Sequence, residues 1–388
     1  MARTYQVISC DGHLETPPDG WLEHVPAKYR DRAPRLVRLA EGGEGWLVEG
    51  LPMIHNGQNL AAGRSVKVRG ESYWNSDGSP APGTGSAAQR LREQDEDGID
   101  AEVLYAPVFI SKFLEAISDP AAYLAMVRAY NDFVADYCSI APDRLIGNGA
   151  IPVTGIDDAL AELERCRSLG LRTIALGQFP NGSGAPRPED DRFWETALEI
   201  GMTLTAHGSF GGKERMHPLL IASATGAFDL VTAMVSRTVP GPIHLIAQTV
   251  ASGLFDRIPE LELYLAETNA GWMPEAFFMM NDSYELFKDW YGVKLKKPPS
   301  EYAAEHFYFG IVRDPVALKL RELLPAERLM WGSDFPHSVT SYPRSRQWLD
   351  VIFADTPDPL RRRILVENPC RFFKLDPDAA LTPTPRGA

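Results

Sequence analysis

Cysteine is scarce in this chain of 388 residues. The four present, Cys10, Cys138, Cys166 and Cys370, form no CxxC pair, so neither a disulfide framework nor a thiolate zinc site is indicated. They read as buried thiols in a reducing cytosol. Long apolar runs are also missing, none reaching the roughly 18 residues of a membrane span. The start Met1-Ala2-Arg3-Thr4-Tyr5-Gln6 lacks the basic and apolar regions of a secretory signal, so a cytoplasmic protein is expected. Basic charge is in deficit: 39 Lys and Arg face 52 Asp and Glu, and the net charge of −13 sets up no overall field for a phosphate backbone or an anionic bilayer. Neither nucleic acid nor membrane is an expected partner. Finally, no GxGxxG opens a helix after an early strand, which removes the usual cofactor signal of a doubly wound sheet.

What is present is ordinary for a globular enzyme, with 44% hydrophobic and 23% charged residues. The length alone would suit two or three domains, but (β/α)8 barrels with insertions commonly run this long, so residues 1–388 are read as one domain. After a first strand at Ile8-Ser9-Cys10-Asp11-Gly12-His13, an irregular insertion at about 21–86 includes a hairpin around Gly45–Gly50. The Gly/Ser/Pro-rich tract Gly70–Ser86 is a loop, suited to a lid or a partner contact, with His55, Tyr73 and Trp74 as lid candidates. From there helix and strand signals alternate: helices at 87–97, 119–141, 155–169 and 189–200, and strands at Ala101–Tyr105, Arg144–Ala150 and Arg172–Leu176. The strand ending at His207 follows, then Leu261–Ala266, His306–Phe309 and 328–333. Eight strands with intervening helices predict an α/β fold, a distorted (β/α)8 TIM-type barrel with an insertion after strand one.

Three of these strands end in groups able to bind a metal. Asp11 and His13 are spaced i, i+2, which puts both on one face of a strand. His207 ends the fifth strand and Asp334 follows the eighth. Each taken alone has a plain structural reading, as a turn cap or a buried imidazole. Together they sit at the C-terminal ends of strands, the catalytic face of a barrel, and would supply the three or four N/O ligands of a metal site with an open position.

Larger segments carry a resemblance. They are Cys10-Asp11-Gly12-His13 with Pro17-Pro18-Asp19-Gly20-Trp21, then Arg92-Glu93-Gln94-Asp95-Glu96-Asp97-Gly98-Ile99-Asp100-Ala101-Glu102-Val103-Leu104, and Ala206-His207-Gly208. Further on come Gly253-Leu254-Phe255-Asp256-Arg257-Ile258-Pro259-Glu260-Leu261, Ala266-Glu267-Thr268-Asn269-Ala270-Gly271-Trp272, Trp331-Gly332-Ser333-Asp334-Phe335-Pro336-His337 and Glu367-Asn368-Pro369. In this order the chain resembles the amidohydrolase superfamily, in the amidohydrolase-related branch that includes aminocarboxymuconate-semialdehyde-decarboxylase-like proteins. The resemblance implies a metal held by Asp11, at the first position of an HxH motif, by His13, by His207 and by Asp334. One divalent ion is expected, zinc first, with manganese or iron as alternatives, since Asp11 in place of His adds a hard anionic ligand. Where the branch often has DxHxxE, this chain has Asp11-Gly12-His13-Leu14-Glu15-Thr16. Thr16 in place of glutamate implies a mononuclear site, unless a bulge re-aims Glu15.

Catalytic candidates are Asp334, Glu267, His337 and His244. Glu267 ends strand six, where decarboxylase-like relatives carry an acid/base histidine; its plain structural reading is a buried salt-bridged carboxylate. His337 lies three residues past Asp334, and His244 begins a helical stretch, Ile243 to Phe255. Arg313 is the candidate carboxylate clamp, whereas His24, His217 and His306 read as surface or packing residues. A metal-dependent hydrolase or decarboxylase acting on a small carboxylated or cyclic compound is expected. Hydrolysis is preferred, because water is always available to the metal, which lowers its pKa to about 7. Three alternatives stand beside it: a non-haem iron oxygenase or hydroxylase, the partner subunit of one, and a degenerate structural subunit. A homodimer or higher oligomer is expected, with a homologous chain as a further partner option.

Overall fold

The computed structural model describes residues 3–15, 19–40, 42–51, 53–55, 72–107, 114–207, 210 and 242–385. Its strands in chain order are β1 (Ile8–His13), β2 (Arg35–Arg38), β3 (Glu44–Leu47), β4 (Ile54–His55), β5 (Ala101–Tyr105), β6 (Leu145–Ala150), β7 (Thr173–Leu176), β8 (Thr203–His207), β9 (Leu263–Ala266), β10 (Phe307–Ile311) and β11 (Leu329–Trp331). Eight of them, in the order β1-β5-β6-β7-β8-β9-β10-β11, form one sheet whose neighbours all pair in parallel. Strands such as Leu-Tyr-Leu-Ala in β9 and Phe-Tyr-Phe-Gly-Ile in β10 are buried throughout, as parallel strands are when the barrel interior covers one face and helices the other. This is the expected TIM-type barrel.

The crossover helices carry their own boundary signals. Ser86 accepts from the Gln89 amide to cap Ala87–Asp97, and Gly98 ends that helix in the left-handed region, a conformation glycine adopts at no steric cost. Asp119 caps Pro120–Cys138 in the same way, with proline at the first turn where its missing N–H costs nothing. Asn368, from the Glu367-Asn368-Pro369 motif, donates to the carbonyls of Glu327 and Leu329 at 2.8 Å each and pins the base of β11.

Closure depends on β1 and the segment after β11. Ser9 pairs with Glu102 but Gly12 with Leu104, so β1 holds one extra residue in its register with β5. The Asp11 carbonyl there accepts from the Asp334 amide at 2.8 Å, the His13 amide donates to Phe335 at 2.7 Å, and Gly12 bridges Phe335. Gly332 permits this approach, because a Cβ on it would stand 2.3 Å from the Asp11 Cβ.

The insertion is more regular than its composition suggests. β2, β3 and β4 form an antiparallel three-stranded sheet, with Glu44–Leu47 as the middle strand. Tyr73 is no lid residue on its own account: it is buried, and its hydroxyl accepts from Trp46 Nε1 at 3.1 Å. The His55 side chain, Thr16 and His217 lie outside what is described. All four cysteines are free and buried. His306 has the expected packing role, stacked on Phe255 with Nδ1 2.9 Å from the Leu261 carbonyl, and His24 sits beside Asp136 and Phe133. Among the described residues no helix is long and apolar enough to cross a membrane.

Candidate metal centre

The ends of β1, β8, β9 and β11 meet at the C-terminal mouth of the barrel. Asp11 and His13 leave β1 on the same face, as period-two spacing requires, and both are almost wholly buried. His13 Nε2 stands 3.5 Å from Asp11 Oδ1 and 3.1 Å from Asp334 Oδ1, and His207 Nε2 is 3.5 Å from the same Asp11 oxygen. The four sequence-predicted ligands thus come together. Glu267 joins them, its Oε2 3.7 Å from His207 Nε2. His337 stacks on His13 with ring centroids 3.6 Å apart and brings Nδ1 to 3.1 Å from Asp334 Oδ1.

Distances this short would normally mean hydrogen bonds, but the directions are wrong. Asp11 Oδ1 and Oδ2, His13 Nε2, His207 Nε2 and Asp334 Oδ1 are all buried without a hydrogen-bond partner. Burying such atoms unpaired costs about 1–3 kcal/mol each, more for charged groups, so five converging in one place need a common partner. Ligand atoms at about 2.1 Å from an ion, at right or tetrahedral angles, stand roughly 3.0–3.4 Å from one another. The observed separations of 3.1 and 3.5 Å lie within and just beyond that spacing. Asp11, His13 and His207 form one mutually close set and Asp11, Glu267 and Asp334 another, so the cluster could hold a divalent ion.

Two carboxylates take backbone conformations that side-chain-bearing residues seldom adopt. Glu267 has φ 53° and Asp334 φ 54°. The left-handed region costs on the order of 1–3 kcal/mol for a non-glycine residue, and such strain persists where surrounding structure over-determines it. Here it turns both carboxylates back over the barrel mouth. Burial, and next the Asp334 charge, push the Glu267 carboxyl up to about 7. Burial works against Asp334 ionising, yet the charge of His337 and the nearby His13 hold its carboxyl well below the usual range. For His337, burial favours the neutral ring, but Asp334 and then Glu15 outweigh it and raise the imidazole to about 10. Loading an ion would displace protons held among these groups.

His244 is not brought to this cluster: it is exposed on the helix Pro242–Ala251, and the stretch to Phe255 breaks into a second short helix, Leu254–Arg257. Arg313 is exposed, donates to the Thr340 carbonyl and lies over the Trp348 ring with 4.7 Å to its centroid, which ties it to the β11 loop.

Two residues complete the site beyond those read as its ligands. Glu15 is fully buried, and His337 Nε2 lies within hydrogen-bond distance of its Oε1 at 3.0 Å. Its signal was the alternation Asp11, His13, Glu15, which continues one strand face past the end of β1. Arg90, buried on the helix Ala87–Asp97, bonds Glu102 through Nε at 2.7 Å and donates to the His13 and Phe335 carbonyls at 3.1 Å each. It fastens the two ligand-bearing segments together from behind, and nothing in its sequence setting marks it.

A parallel eight-stranded barrel with a mixed imidazole and carboxylate site at its C-terminal mouth defines a metal-dependent barrel enzyme. The family model described as amidohydrolase matches residues 10–375, and the chain belongs to that family. It is 26% identical over 299 residues to 2-amino-3-carboxymuconate-6-semialdehyde decarboxylase of Dictyostelium discoideum, covering 75% of this chain and 77% of that one. It is likewise 26% identical over 304 residues to gamma-resorcylate decarboxylase of a Polaromonas species, covering 74% and 87%. A solved dihydroxybenzoic acid decarboxylase from Polaromonas, with bound manganese and the inhibitor 2-nitroresorcinol, superposes with a TM-score of 0.58 at 21% identity, over 95% of this chain and 97% of that one. The metal-dependent hydrolase or decarboxylase expected from the sequence is the activity class of this family.

Proposed function

We propose that this protein is a decarboxylase of small carboxylated aromatic or muconate-like acids, with manganese ahead of zinc as its ion. The observation that carries the reading is the convergence of Asp11, His13, His207 and Asp334 with unpaired lone pairs, beside a second carboxyl, Glu267, free to handle a proton. Two hard carboxylates in the ligand set favour manganese, and the curated relatives matched across most of the chain are decarboxylases. When bound, the ion supplies a Lewis acid for the substrate carboxylate and a neighbouring hydroxyl. Glu267 in its acid form delivers a proton to the carbon that bears the carboxylate. The bond to that carboxylate then breaks, its electron pair restores the unsaturated system, and carbon dioxide leaves. Glu267 is left as carboxylate and regains a proton from water. Tyr105 stands against His207 with ring centroids 5.2 Å apart and helps hold that ligand in place.

The test is carbon dioxide release from gamma-resorcylate and related carboxylated phenols by manganese-loaded protein in deuterium oxide, with deuterium expected at the vacated carbon. Hydrolytic products and no carbon dioxide would return the reading to a hydrolase. Glu267→Gln should lower kcat about 10²–10⁴-fold, the usual size of a general-acid contribution, and leave manganese content unchanged. A kcat within threefold of wild type would remove Glu267 from the proton transfer.

We further propose that the protein is a homodimer through the helix Met273–Tyr291. That helix exposes Phe278, Met279, Leu286, Phe287, Trp290 and Tyr291, an apolar face of the kind that marks a contact surface. The face suits its own copy. A two-fold axis near its middle would set Phe278 against Tyr291 and Met279 against Trp290, with Glu275 near one end meeting Lys294 just past the other. Leu286→Glu with Trp290→Glu should convert a sedimenting dimer to monomer at unchanged metal content. A wild type that sediments as a monomer would refute this.

A further inference from the structure

We propose that Glu15 is a positioning residue for the metal ligand Asp334, acting through His337. The inference rests on the metal reading above and extends it to how one ligand is aimed. Glu15 is fully buried just past the end of β1, while Asp334 belongs to the segment after β11, on the other side of the seam where the barrel closes. His337 spans that seam. Its Nε2 is 3.0 Å from Glu15 Oε1, and its Nδ1 is 3.1 Å from Asp334 Oδ1. The Glu15 contact at Nε2 sets the orientation of the ring and turns Nδ1 toward Asp334. The ring face is fixed separately by stacking on His13, 3.6 Å between centroids and 23° between planes. A hydrogen bond at Nε2, a close approach at Nδ1 and a stacked face together restrain the imidazole. Asp334 needs such support, because its φ of 54° removes it from the regular strand ladder, and the His337 amide bonds its carbonyl at 2.8 Å.

The same residues also form a second possible ligand set. His13, Glu15 and His337 offer atoms within 4.8 Å of one another, as three ligands of a further ion would. Yet the contact between Glu15 and His337 has hydrogen-bond geometry, whereas the contacts among Asp11, His13, His207 and Asp334 do not. The bond engages one Glu15 oxygen, while Glu15 Oε2 and His13 Nδ1 stay buried without a partner, so the number of manganese ions per chain separates support from ligand. Carboxylates bonded behind a ligand commonly carry a 10–100-fold effect on metal affinity.

The experiment is manganese(II) titration of the full chain against a competing chelator, with the absorption spectrum of the cobalt(II) form and thermal unfolding of the metal-free form recorded alongside. Glu15→Leu should weaken manganese binding about 10–100-fold and change the cobalt spectrum. Glu15→Gln keeps an oxygen that accepts from His337 Nε2 and should recover most of both, which a packing role alone would not produce. If Glu15→Leu does not fold, His337→Phe, which keeps the stacked ring and lacks both nitrogens, should show the same weakening. Wild-type affinity and an unchanged cobalt spectrum in the folded Leu or Phe variant would overturn the inference. So would two manganese ions per wild-type chain falling to one in both Glu15 variants, since Glu15 would then be a ligand. A wild type that binds no manganese, zinc or cobalt would defeat the metal centre itself, a distinct result.

Discussion

Asp334→Asn is expected to strip the protein of its bound ion and of carbon dioxide release together. The side chain keeps its size but loses the charge that faces His13 at 3.1 Å and His337 at 3.1 Å. Partners standing behind a ligand carry about 10–100-fold in affinity, so losing a ligand of this set should exceed 100-fold in manganese Kd. Lewis-acid assistance of several kcal/mol disappears with the ion, and at about 1.4 kcal/mol per decade the rate should fall by roughly 10³ or more. Stability gives an independent readout. Manganese at a thousand times its Kd should add about 4 kcal/mol to wild-type unfolding by mass action and add little to the variant at the same concentration. An Asp334→Asn protein that retains stoichiometric manganese would show that the ion is held elsewhere.

Arg90→Met should produce the largest loss of stability among single changes near the site. Arg90 is 2% exposed and paired with Glu102, also 2% exposed. Removing one partner of a buried pair costs about 3–5 kcal/mol, because the remaining charge has no compensation. Gln94 still donates to Glu102 at 2.9 Å, which softens that term, but the His13 and Phe335 carbonyls each lose a donor as well. The loss should appear in urea unfolding as a lower midpoint at unchanged slope, and adding Glu102→Leu should recover part of it by removing the stranded charge. Weaker manganese binding should accompany it, since Arg90 ties the backbone of one ligand, His13, to the loop that carries another. A loss below 1 kcal/mol would mean that the barrel seam does not depend on this clamp.

Much of the site was legible because strand geometry imposes a local rule. A side chain's face follows from its parity along a strand, and in a parallel barrel every strand delivers its C-terminal end to the same mouth. Asp11, His13, His207 and Asp334 could therefore be brought together from three short motifs without knowledge of a contact. The same parity continues to Glu15, one residue before Thr16, which stands where the branch often has a glutamate. Arg90 obeys no such rule. Its role comes from a helix packing behind two strand ends that are far apart in sequence, and a charged residue on an amphipathic helix usually faces water. His244 illustrates the converse: proximity in sequence to strand six did not bring it to the mouth, since the helix turns it outward.

By itself the sequence determined that this chain builds a parallel barrel and that side chains able to bind a metal crown three of its strands, because apolar strand runs and strand-end chemistry are written within a few consecutive residues. Only the tertiary structure decided which buried contacts close as hydrogen bonds and which leave their atoms without a partner. That distinction lies in the angle of approach between groups some 320 residues apart, and it is set where β1 and the β11 loop close the barrel on each other.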